Sequence, residues 1–229
     1  MIALIIGLAL MPTSGIALWA AAQALSALAA GSRAAAPFIG GAVFCLLARV
    51  FLDFEESFLG ATIRRLYVLG HELSHALAAW SMGGKVYGFK IGKDGGHVDL
   101  SHSNPLIALA PYCLPIYTVA LVGSYRILLW LRPDLDHPSA YFFLMGLSLA
   151  FHLIFTFDCL WDQKQPDLAA GGGVVFSLSI IGIANAAVVL LLMKTLFPRA
   201  VSLAASLSVV KHGTISFWAK VLSLLGLKT

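Results

Sequence analysis

The stretch LYVLGHELSHALAAW, residues 66–80, decides how this chain is read. Its Leu, Val, Ala and Trp suit a lipid environment, yet His71, Glu72 and His75 stand in the middle of them. On an α-helix, residues four apart share a face, so His71 and His75 point the same way, with Glu72 one step round from His71. This is the HExxH pattern, in which two imidazoles bind a metal and the glutamate serves as general base. With seven His and three Glu among 229 residues, chance would supply such a match in roughly three of a thousand chains of this composition. The competing reading is structural: two helical histidines bonded to neighbouring helices, with Glu72 paired to Arg64 or Arg65. Ionisable groups in mid-membrane cost about 2.5–3.5 kcal/mol each and mark function, which favours the metal.

The composition around that stretch explains why charge there is conspicuous. Hydrophobic residues make up 59% of the chain and charged residues 11%, against about a quarter charged in soluble domains; the mean hydropathy is +0.88. An integral membrane protein is expected. The net charge of +4 comes from Lys and Arg scattered singly or in pairs, so no basic patch for nucleic acid exists; they read as span flanks facing lipid headgroups. Cys45, Cys113 and Cys159 have no ligand-like spacing and read as small packing residues.

A helix needs about 20 residues to cross the bilayer core. Six segments qualify: 2–30, 34–52, 62–82, 105–131, 139–161 and 168–197. The first lacks a basic leader and its apolar run is too long for a signal peptide, so it counts as a span. The expected fold is therefore an all-α integral membrane protein of about six transmembrane helices. Residues 1–199 form a single polytopic domain with its core at 62–185. The tail, 200–229, spaces Trp218, Leu222 and Leu225 along one face with lysines at the margins, the pattern of a helix lying in the interface. The Lys and Arg distribution favours cytoplasmic termini, in a multi-pass cell membrane of bacterial or archaeal type. Pro105, Pro111 and Pro115 are expected to kink or break the fourth span, and the acidic residues 53–57 read as a solvated loop.

The chemistry expected of HExxH is hydrolysis by a metal-activated water. A catalytic zinc uses three protein ligands and keeps one position open. His71 and His75 supply two; Glu72, too far round the helix to ligate, can take the water's proton. For the third, the candidates are Asp167, Asp158, His152, Asp162, His97 and His102. Asp167 is preferred because it follows a proline, and a helix starting there leaves a polar side chain near an unfilled turn. His152, Asp158 and Asn185 are also candidates for supporting the ligands or positioning substrate, with core hydrogen bonding as the plain alternative for His152 and Asn185 and interfacial solvation for Asp158. After the HExxH helix, KVYGFKI and GHVDLS alternate like strands around GKDGG, predicting a small membrane-associated β-hairpin turning at Lys93, Asp94 and Gly95. Its edge could pair with an unwound substrate, or it could merely connect two spans.

These features resemble the site-2 protease family of intramembrane zinc metalloproteases: HExxH inside a span, the GGKVYGFKIG run after it, and a distant aspartate beside a later span. The resemblance covers about residues 62–185. It implies zinc as cofactor, Asp167 in QPDL as third ligand, a transmembrane protein or peptide as substrate, and a β element that presents it. QPDL departs from the family's Asn-Pro-Asp-Gly at its first and last positions, and Ala110-Pro111 stands where members carry Gly-Pro. Other readings are a non-catalytic metal-binding scaffold or chaperone, which has little need of Glu72, and a small transporter, which would show internal symmetry that is absent here. Membrane proteases that take the third ligand from a downstream glutamate are disfavoured, because no glutamate follows Glu72.

Overall fold

A computed structural model describes residues 1–52, 57–92, 95–135, 137–161 and 165–226. The acidic residues Asp53 to Glu56, the hairpin tip Lys93 and Asp94, and the candidate ligand Asp162 lie outside the described residues. Among those described, the chain is helical apart from one two-stranded sheet. It divides into two compact units, residues 1–33 with 172–229, and residues 34–171.

The first unit holds α1 (Ile2–Gly31), α8 (Val174–Leu196) and α9 (Leu203–Leu224). Small residues let these helices approach closely. A Cβ on Gly7 would lie 2.6 Å from the Phe176 backbone nitrogen, and Ser179 Oγ donates to the Gly7 carbonyl at 3.0 Å. Ala17, Ala21, Ala186 and Leu190 form the core, with Leu203 and Val210 of α9 packed against it. Such small-residue seams suit helix pairs in lipid, where close van der Waals contact replaces the hydrophobic effect. The tail thus forms a helix, α9, that packs on α1, with Thr214 donating to Thr13 at 3.3 Å.

The second unit is built on α2 (Ala36–Phe51), α3 (Phe58–Ser81), β1 (Val86–Ile91), β2 (Gly96–Leu100), α4 (Pro105–Cys113), α5 (Ile116–Leu131), α6 (Pro138–Trp161) and the short α7 (Pro166–Ala170). Helices α2 and α6 are clamped by reciprocal glycines. A Cβ on Gly41 would fall on the Phe143 carbonyl, and one on Gly146 would fall on the Phe38 carbonyl. Helix α3 starts where Ser57 Oγ accepts from the Gly60 N–H at 2.9 Å, an N-cap. It stops in a left-handed turn at Gly83, φ 75°. There Gly84 N–H reaches the Ala79 carbonyl at 2.8 Å and Gly83 N–H the Trp80 carbonyl at 3.0 Å, the paired bonds of a Schellman cap.

The predicted hairpin follows that cap: β1 and β2 pair antiparallel, Phe89 opposite Val98 and Lys90 opposite His97. The fourth apolar segment is two helices bent by 67°, broken at Leu114 and Pro115, because Pro115 has no N–H to continue α4. The last apolar segment is interrupted after α7 by Gly172 and Gly173, both at positive φ, so α8 begins at Val174 rather than near Leu168. Among the described residues, α1, α6 and α8 are long and apolar enough to cross a membrane, and α4 with α5 makes a fourth if the bent pair is one span. Helix α2 has only 16 residues, about 24 Å of rise.

Candidate metal centre

Helix α3 carries the centre's first two groups. Seven and eleven residues beyond Arg64, His71 and His75 stand on the stripe that faces a cavity of about 1100 Å³, with Glu72 beside them. The third group comes from α7. Pro166 occupies its first turn, where a missing N–H costs nothing, and the next residue, Asp167, reaches back into the cavity. Its Oδ2 lies 3.3 Å from His71 Nε2 and 3.5 Å from His75 Nε2. One ligand atom from each of the three residues falls within 4.8 Å of the others.

That spacing fits a metal. Ligands about 2.0–2.1 Å from a tetrahedral ion stand about 3.3–3.4 Å from one another, which is close to both measured separations. The protonation pattern agrees. His75 Nδ1 donates to the Ile107 carbonyl at 2.8 Å, so in the neutral ring Nε2 bears a lone pair and faces a carboxylate oxygen. Two acceptors in contact call for a cation between them. The donor set of two imidazoles and one carboxylate suits a borderline divalent ion, and no fourth side chain joins the cluster among the described residues.

The Ile107 carbonyl is available for a local reason. In α4 it would accept from the N–H of residue 111, but residue 111 is a proline inside the helix and has none. Asn104 caps the same helix, its Oδ1 accepting from Ile107 N–H at 3.0 Å. A helix start plus an internal proline thus aim one carbonyl at His75. His71 has no such partner among the described residues, where its buried Nδ1 makes no hydrogen bond.

Residues of α4, β2 and the approach to α7 complete the surroundings. Tyr112, fully buried, donates from Oη to Asp167 Oδ2 at 2.9 Å and sets its ring edge-on to His71, centroids 5.2 Å apart. Gln165 fixes the chain leading into α7 by donating from Nε2 to the Cys159 carbonyl at 3.0 Å. Glu72 is buried and lies under β2. A Cβ on Gly96 would stand 2.5 Å from Glu72 Cγ and 2.8 Å from its Oε1. Gly96, Val98 and Leu100 share one face of the strand and line the cavity.

Of the other sequence candidates, Asp158 lines the same cavity but is paired to Arg49, Oδ2 to Nε 2.6 Å. His152 is buried on α6 and is not in the three-residue cluster. His97 and His102 are on the cavity wall, His97 bonded to Asp99 at 2.8 Å and His102 to Ser101 at 3.1 Å. Asn185 belongs to the other compact unit, where its amide donates to the Ile181 carbonyl at 2.9 Å. Tyr112, Ile107, Pro111 and Gly96 were not among the sequence candidates for the site. Only Pro111 carried a local signal, an internal helical proline that frees the carbonyl four residues before it.

Compared with protein-family models, with curated proteins and with solved structures, the chain matches none. The reading of the site therefore stands on its own geometry.

Proposed function

We propose that the chain is an intramembrane zinc metalloprotease, a divergent relative of the site-2 proteases, that hydrolyses peptide bonds of membrane-embedded substrates. The observation that carries this reading is the convergence of His71, His75 and Asp167 within 4.8 Å, with buried Glu72 in the same cavity. A scaffold that merely held a metal would need the three ligands and no adjacent buried carboxylate. The bilayer would be crossed by α1, α2, α3, the bent pair α4 and α5, α6 and α8, with α9 in the interface and both termini cytoplasmic.

His71, His75 and Asp167 would hold the zinc, which when bound would supply polarisation of a carbonyl and a water whose pKa is lowered to about 7. The chain's own residues do the rest. Glu72 accepts the water's proton and returns it to the leaving amine. Asp167 balances charge at the metal, while Ile107 fixes the His75 tautomer. The free edge of the hairpin, beside Glu72, offers backbone partners to a substrate segment that has left its helical state, since a helix conceals its carbonyls in internal bonds.

The reading is tested by metal content and turnover together. Purified parent should hold about one zinc per chain. His71→Ala should lose it, and Glu72→Gln should keep it while losing about 10²–10⁴-fold in peptide hydrolysis. A folded parent without metal, or a Glu72→Gln variant that cleaves at the parental rate, would rule the protease out.

A further inference from the structure

We infer that Arg64 is a substrate-selecting residue: its guanidinium receives a carboxylate of the substrate about three residues from the scissile bond. The inference rests on the protease reading above and adds a preference that the metal centre cannot supply.

Arg64 lines the cavity that contains His71, Glu72, His75 and Asp167. It is exposed, and among the described residues it forms no ion pair. The other arginine on that wall, Arg49, is committed to Asp158 at 2.6 Å. Among the described residues on the cavity wall outside the metal centre, Arg49 is thus paired with Asp158, and Arg64 is in no ion pair. The guanidinium's planar fork fits a carboxylate in two parallel hydrogen bonds.

The spacing sets where that carboxylate must be. Arg64 precedes His71 by seven residues on one helix, about 10.5 Å of rise. An extended peptide advances about 3.3–3.4 Å per residue, so three residues cover the interval. The path between is lined: Val68 lies between Arg64 and the HExxH turn on α3, and Gly96 of β2 packs against both Val68 and Glu72. A substrate strand laid along this wall with its scissile carbonyl at the metal brings its third neighbour to Arg64. At the cavity's rim the exposed, stacked rings of Phe157 and Trp161 offer apolar surface to the rest of the segment.

The test uses full-length, zinc-loaded protein in detergent and a synthetic library of apolar peptides about 20 residues long, with cleavage sites read by mass spectrometry. Parent should cut with Asp or Glu enriched about tenfold at the third position on one side of the cut. Arg64→Lys should retain that enrichment. Arg64→Gln should abolish it, and Arg64→Glu should invert it toward Lys and Arg, all with parental zinc content. Repeating the digestion with amidated C-termini separates the two sources of carboxylate: enrichment that persists comes from side chains, and enrichment that disappears comes from the chain end. If Arg64→Glu cuts with the parental profile, the inference is overturned and Arg64 serves another anion such as a lipid phosphate. If zinc-loaded parent cuts no more than Glu72→Gln, the protease reading itself fails and takes this inference with it.

Discussion

The phenol of Tyr112 donates at 2.9 Å to Oδ2 of Asp167, the same carboxylate oxygen that faces both histidines. Helix α7 has only five residues and cannot by itself fix a side chain to within a few tenths of an ångström. The buried tyrosine supplies that fixation from α4. Groups that orient a metal ligand change affinity about 10–100-fold when removed. Tyr112→Phe keeps the ring against His71 and deletes only the donor, so zinc affinity, read by competition with a chelator, should fall by that amount. Unchanged affinity would mean that the carboxylate is set without Tyr112.

Two aspartates face the cavity, and their environments separate their roles. Asp167 is among the candidate ligands, whereas Asp158 is held by Arg49, with both side chains more than a third exposed. Exposed pairs contribute about 0–1 kcal/mol. Asp167→Ala should therefore lose metal, while Asp158→Ala should retain it with little change in thermal stability. Elemental analysis of both variants decides it; equal retention would move the third ligand to another residue.

Glu72 and Gly96 are neighbours across the gap between helix and strand. A methyl group on residue 96 would sit 2.5 Å from Glu72 Cγ, closer than carbon atoms approach, so either the hairpin lifts or the carboxylate turns away. Gly96→Ala should leave zinc content at the parental level and lower peptide hydrolysis by about tenfold or more, the loss falling on kcat because a misplaced base weakens the transition state. Loss of metal together with activity would show instead that the hairpin supports the ligands.

The parts of this site that could be read in the sequence are those whose geometry is local. His71, Glu72 and His75 are fixed by helical spacing alone. Asp167 was legible because Pro166 marks a helix start, and the break between α4 and α5 because Pro115 cannot continue a helix. Tyr112, Gln165 and Gly96 depend on how elements far apart in sequence approach one another, and nothing within a few residues of each announces it. The same holds for the division of the chain. Residues 1–33 share a compact unit with 172–229 because Gly7, Ser14 and Ala17 on α1 fit small residues on α8, a match invisible to hydropathy. Hydropathy also overstated α2: an apolar run of nearly 20 residues yields a helix of 16, because Arg33 to Ala35 form a 3₁₀ turn.

Pro111 sets stability against function within one helix. A proline inside an α-helix costs about 3 kcal/mol relative to alanine, and here it leaves the Ile107 carbonyl to His75 Nδ1. Pro111→Ala would restore an N–H four residues beyond Ile107, and that N–H would compete with the imidazole for the same oxygen. The two effects carry opposite signs: thermal stability of the metal-free protein should hold or rise, while zinc affinity should fall several-fold as His75 loses its fixed tautomer. Thermal unfolding in detergent measures the first and chelator competition the second. If both rise together, the carbonyl serves the two donors at once and the proline's place in α4 has no bearing on the metal.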